Sequence, residues 1–202
     1  MSALTLRKTG WIVMTVLALA IAAYAALVLF LPGFGPPFVQ DRRATLPIAL
    51  YAHLAGGLLA LALGPWQFNA RIRDGYREVH RWMGRSYVVA VLVGGTGGLA
   101  LATRSMHGWV THLGFGVLAV CWLGTTLQAY RRIRAGDVVT HQRWMIRSYA
   151  LTLAAVTLRI YLPASAVAGL PFDVSYQVIS WLCWVPNLLV AEWRFVPRAT
   201  GA

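Results

Sequence analysis

His80-Arg81-Trp82-Met83-Gly84-Arg85-Ser86-Tyr87 returns later in the chain as His141-Gln142-Arg143-Trp144-Met145-Ile146-Arg147-Ser148-Tyr149. The histidine, the Trp-Met pair and the Arg-Ser-Tyr triplet recur in one order, with one extra residue in the second copy. Self-similarity of this kind decides the fold reading, because it points to a duplicated unit. The likeness grows outward from the motif. His53-Leu54-Ala55-Gly56-Gly57 opens one apolar run, and His112-Leu113-Gly114-Phe115-Gly116 opens another. Each run reaches a glutamine, Gln67 or Gln128, then an arginine-rich link, then the repeated segment. Two copies of one helical hairpin are expected. Both start on the same side, so the repeat is parallel about an axis along the membrane normal, unlike the inverted repeats of many transporters.

Composition says what surrounds these segments. Hydrophobic residues make up 58% of the 202 and charged residues only 12%, half the share of a soluble domain, about 25%. The chain reads as a polytopic membrane protein. Its net charge of +12 would suggest nucleic acid in a soluble protein. Here the cations lie between apolar runs, where they set topology and meet anionic headgroups, so no nucleic-acid partner is expected. The two cysteines, Cys121 and Cys183, lie inside apolar runs with no metal or redox spacing and read as free and buried.

Spans are expected at about residues 11–31, 47–68, 80–102, 109–130, 141–162 and 175–193, each near the ~20 residues that cross a bilayer. The first follows Arg7-Lys8 and is too long for the core of a cleaved secretory signal, about 7–15 residues, so it reads as an uncleaved anchor. Pro163 is expected to close the fifth span, and Pro186 to kink the sixth. The fold class is therefore all-α: six transmembrane helices in one integral membrane domain over residues 1–202, with helices 2–3 and 4–5 repeating in a four-helix core. Fourteen of the 18 basic residues fall on the side of the N-terminus, Arg198 among them; Arg42, Arg43, Arg104 and Arg159 are the others. This bias places both termini in the cytoplasm.

Histidine is scarce within membrane spans and marks a functional position there by default. His53 lies eighteen residues before Arg71 and His112 nineteen before Arg131, about 27–28 Å along a helix. Both belong to the outer part of their spans, while His80 and His141 start theirs at the inner side. The repeat pairs His53 with His112 at one level and His80 with His141 at the other. Two facing imidazoles at each of two depths suit two b-type haems, each with two axial histidines. Gly56, Gly57, Gly94, Gly95, Gly97, Gly98, Gly114 and Gly116 would let a flat macrocycle approach. Arg81, Arg85, Arg143 and Arg147 at the inner level, and Arg159 at the outer one, would meet its propionates. A plainer account stands beside each feature: interfacial histidines, helix-packing glycines and arginines that only set topology. His107, in the short outer turn, has no counterpart in the other hairpin and reads as structural or solvated.

His53-x-x-Gly56-Gly57, Gly64-Pro65-x-Gln67-Phe68, His80-Arg81-x-x-Gly84-Arg85-x-Tyr87 and His141-x-x-Trp144-Met145-x-Arg147-Ser148-Tyr149-Ala150 resemble the bacterial membrane family called domain of unknown function 2306, over roughly residues 45–165. That resemblance implies a prokaryotic inner membrane; the family's name carries no activity. The arrangement of one histidine on each of helices 2 to 5 is similar in architecture to the cytochrome b561 family, which passes electrons across membranes between two haems b. It implies a transmembrane oxidoreductase with His53 and His112 on one haem and His80 and His141 on the other. That family's ascorbate-site sequence is absent from this chain, so neither the redox donor nor the acceptor is implied. The alternatives are a haem-free membrane subunit, or a transporter, binding lipid, quinone or a partner protein in the same bundle. The lipid bilayer is an expected partner and a second copy of the chain a candidate one. No nucleophile–base set, P-loop or dinucleotide fingerprint appears, so no catalytic residue is assigned.

Overall fold

Six helices of the computed structural model are long and apolar enough to cross a membrane: Lys8–Phe30, Pro47–Gln67, Arg77–Ala102, Trp109–Arg134, Val138–Val167 and Phe172–Phe195. The structure describes residues 3–196, and for residues 3–7 the backbone alone; Arg198 lies outside them. All the described elements are helical: α1 (Ala3–Phe30), α2 (Pro37–Thr45), α3 (Pro47–Gln67), α4 (Ala70–Gly75), α5 (Arg77–Ala102), α6 (Trp109–Arg134), α7 (Val138–Thr152), α8 (Ala154–Val167), α9 (Phe172–Leu182) and α10 (Val185–Arg194). The chain divides into two compact units, with the boundary in the sequence between Gly97 and Gly98.

Several boundaries depart from the expected spans for identifiable reasons. The first link is not irregular throughout, because Pro37 starts α2 with a preset φ and no wasted donor. Asn69 caps α4, its Oδ1 accepting from the Arg71 N–H at 3.0 Å. α6 runs on to Arg134, since its last turn carries Arg131, Arg132 and Arg134, good helix formers whose charge suits a helix C-terminus. Pro163 does not close the fifth span; it lies inside α8, which continues to Val167. A proline deletes one donor, and a membrane helix tolerates that loss.

The fifth and sixth spans are each interrupted. Leu153 separates α7 from α8, and Cys183 with Trp184 separates α9 from α10. Near the first break Thr152 Oγ1 bonds back to the Ser148 carbonyl at 3.0 Å, and Thr157 Oγ1 to the Leu153 carbonyl at 3.2 Å. Back-bonding of this kind bends helices. The second break precedes Pro186, which cannot donate to the preceding turn. Asn187 ties the two breaks together: its Nδ2 lies 3.0 Å from the Cys183 carbonyl, 3.2 Å from Thr157 Oγ1 and 3.4 Å from the Ala150 carbonyl. The single hydroxyl hydrogen of Thr157 is shared between the Leu153 and Cys183 carbonyls. Backbone groups exposed by a break in the bilayer need such partners.

In the first unit α1 lies on α3, with Trp11 Nε1 donating to the Pro65 carbonyl at 3.0 Å. Arg43 reaches back to the Val28 and Leu31 carbonyls and caps the end of α1. α3 and α5 touch backbone to backbone. A Cβ on Gly56 would stand 2.4 Å from the Ala90 carbonyl oxygen, and one on Gly97 2.6 Å from that of Ala49. In the second unit α6 packs on α7 through Thr126 and Ser148, 2.7 Å apart, and through Trp122 Nε1 on Thr152 Oγ1 at 2.9 Å. Gly114 of α6 takes Ser180 of α9 in the same close fashion, at 2.4 Å from a hypothetical Cβ.

Candidate functional site

The four span histidines divide between the units, His53 and His80 in the first, His112 and His141 in the second, and all four are half-buried. His53 Nδ1 lies 2.9 Å from the Gly94 carbonyl, across the glycine crossing of α3 and α5. His141 Nδ1 lies 2.9 Å from the Ala129 carbonyl of α6. A carbonyl can only accept, so Nδ1 carries the proton and Nε2 keeps its lone pair. The ring is also fixed in orientation. A metal-ligating imidazole is held in this way. His112 is held by the opposite nitrogen: Nε2 donates to the Ser105 carbonyl at 3.0 Å and Nδ1 carries the lone pair. His80 occupies the first turn of α5. His107 packs edge-on against Phe172 and Tyr176, with ring centres 5.6 and 5.7 Å away, and so has a structural place in the turn.

The arginines fall into different states. The Arg85 guanidinium sits 5.2 Å above the Trp82 ring, and that of Arg147 4.5 Å above Trp144. Both pairs are three residues apart on one helix face, so the Trp-Met-x-Arg spacing itself makes the cation–π contact. Arg147 additionally forms a two-pronged ion pair with Glu192 of α10. Its charge is thereby met within the chain. Arg159 donates to the Ala155 carbonyl at 3.0 Å, one turn back on α8. Arg81 is exposed on α5. Arg143, two residues beyond His141, has its Nε buried with no hydrogen-bond partner among the described residues.

Two carboxylates of the arginine-rich links are already engaged. A hydrogen bond from Arg73 holds the Asp74 carboxyl below its ordinary range, with the charges of Arg73 and Arg77 acting in the same direction. The Thr140 main-chain N–H does the same for Asp137, which caps α7 at 3.0 Å. Neither is paired with Arg81, Arg131 or Arg143 among the described residues.

The glycines have a different use from the one their spacing suggests. Gly56, Gly94, Gly97 and Gly114 are filled by the main chain or side chain of a neighbouring helix, so they make helix contacts and leave no room there for a macrocycle. Gly57 has open space where a side chain would stand. Among the described residues no three His, Cys, Asp or Glu side chains gather to hold a metal ion, which leaves no candidate for a zinc site built of protein ligands alone.

A trough in the second unit was not foreseen. It is an open groove of about 480 Å³ between α6, α7 and α10. Cys121, Gly124, Thr125, Gln128 and Arg131 line it from α6, at the spacing of one helix face. The stripe was legible; its partner on α10 was not, because the break before Val185 sets which face α10 presents. Sequence reasoning also missed Glu192 as the partner of Arg147, which lies 45 residues away.

The family model described as "Predicted membrane protein (DUF2306)" matches residues 50–195 of this chain. That range takes in both copies of the repeated motif and the interrupted fifth and sixth spans. No curated protein and no solved structure matches the chain.

Proposed function

Because the chain belongs to the DUF2306 family of predicted membrane proteins, a description that specifies no activity, we propose from its own side chains that it is a transmembrane electron carrier binding two b-type haems. His53, His80, His112 and His141 are the proposed axial ligands. One observation carries the reading: His141 is held by Nδ1 with Nε2 left to coordinate, and two residues on stands a buried arginine donor, Arg143 Nε, with no partner. The first suits an axial ligand and the second an anionic group; two residues apart on α7 they leave the helix in different directions, so each supports the reading separately. His53 is likewise oriented through Nδ1, on the Gly94 carbonyl. His112 fits less directly, since coordination through Nε2 requires it to release Ser105. Of the arginines, Arg143, Arg81 and Arg85 suit the propionates; Arg147 and Arg159 would first leave Glu192 and Ala155. Haem supplies reversible one-electron chemistry at iron; this chain supplies orientation of the ring and a cationic end. The two Trp–Arg stacks support reading the hairpins as copies of one unit, and the arginine bias supports a cytoplasmic location of both termini in a bacterial inner membrane.

Protein purified from haem-replete cells is expected to show a reduced-minus-oxidised haem b spectrum, with the haem-to-protein ratio about halved by His53→Ala. A colourless preparation ends the proposal. One observation favours a second reading, a solute transporter: the fifth and sixth spans each leave regular α-helix for one or two residues, at Leu153 and at Cys183–Trp184, and discontinuous helices are a feature of carriers. In its favour would be loss of uptake of a defined solute on deletion of the chain, with no haem in the protein.

A further inference from the structure

The trough between α6, α7 and α10 has a shape and a polarity that the haem reading does not use. From Cys121 to Arg131 along α6 is ten residues, about 15 Å. The wall is apolar for most of that length, with Leu127 on the same helix and Leu188 on α10. At one end stand Gln128 and Arg131. Arg147 and Glu192 also line it but neutralise one another, and Arg147 lies flat on Trp144. Arg131 is exposed and has no carboxylate partner among the described residues. The site thus has one uncompensated cation, an amide beside it, and a greasy channel leading away along a membrane helix. Its volume of about 480 Å³ falls within the range of small-molecule sites, about 300–1,000 Å³.

We propose that this trough is a binding site for an anionic phospholipid. The head phosphate is held by Arg131 and Gln128, and one acyl chain lies past Gly124 between Leu127 and Leu188. An arginine fork and a phosphate match in geometry and charge. The channel continues from the headgroup level into the apolar part of α6, so a molecule that already lies in the bilayer fills it without leaving the membrane. The assignment does not rest on haem binding.

Gly124 makes the site testable. No atom lies within 4 Å of where its Cβ would stand, so a side chain there enters the trough without disturbing the helix packing. The full chain is purified, stripped of lipid and offered phosphatidylglycerol, phosphatidylcholine or oleate, and bound molecules are counted by native mass spectrometry. Phosphatidylglycerol is expected to be retained over phosphatidylcholine. Arg131→Gln should weaken that retention about tenfold, the scale of one lost charge-assisted contact, and Gly124→Leu should abolish it while the thermal midpoint of the protein stays in place. Equal retention of the two phospholipids overturns the proposal, as does phosphatidylglycerol binding that both variants leave intact. Oleate displacing phosphatidylglycerol from the wild type, with the same dependence on Arg131 and Gly124, shows a fatty-acid site and overturns the phospholipid assignment.

Discussion

At the scale of single residues the sharpest contrast is between adjacent glycines. A Cβ on Gly56 meets two main-chain atoms of α5, the Ala90 oxygen and the Gly94 nitrogen, at 2.4 Å, whereas a Cβ on Gly57 meets nothing within 4 Å. Gly56→Ala should therefore destabilise the protein by about 1–3 kcal/mol, the usual cost of overpacking, and Gly57→Ala should not, as thermal denaturation in detergent can show. Gly56→Ala should also loosen the His53 bond to Gly94, since both belong to one crossing. Asp137 offers a pH test. Its folded value is depressed by the Thr140 N–H, so the cap is in place above the ordinary Asp value of 3.8 and fails only as pH falls below it. Amide exchange at Thr140 is expected to be protected relative to its intrinsic rate at neutral pH, to lose that protection at strongly acid pH, and to be unprotected at every pH in Asp137→Ala. Why these side chains matter could be read only in part from sequence. The histidines stand out because span histidines are rare. Their acceptors, the Gly94 and Ala129 carbonyls, are main-chain atoms, and any residue type supplies those.

Elements follow a different rule. Long apolar runs announce the six spans, because a bilayer demands length and internal hydrogen bonding together. The interruptions are less visible. Pro186 marks one of them, but Leu153 is an ordinary helix former, and its break comes from neighbouring threonines bonding to the main chain. Pro163 shows the reverse error: a strong breaker in water lies inside α8. Asn187 joins the broken spans, so Asn187→Leu should cost about 1–3 kcal/mol by leaving buried groups unpaired. Thr157→Val should cost less on top of Asn187→Leu than alone, since the two share the Cys183 carbonyl. Denaturation of the single and double variants measures that coupling.

For the molecule as a whole, charge orders the links. Arg71, Arg73 and Arg77 flank one link and Arg131, Arg132 and Arg134 another, while residues 168–171 carry no charge. In a background where Cys121 and Cys183 are replaced by serine, a cysteine introduced at Gly75 or Gly136 should resist a membrane-impermeant maleimide in intact cells, and one at Gly33 or Gly169 should react. Reaction at Gly136 and not at Gly169 would invert the topology. The crossing of α3 over α5 has a consequence of its own. Where Gly56 meets Gly94, and Gly97 the main chain at Ala49 and His53, no rotamers are frozen, so the contact forms without the side-chain entropy loss that opposes most packing. Lipid tails are as apolar as leucine and compete with ordinary side-chain contacts, but they cannot compete for a fit between two main chains. This seam should therefore be the last part of the first unit to loosen as temperature rises, and amide exchange along Gly94–Gly97 should be its slowest.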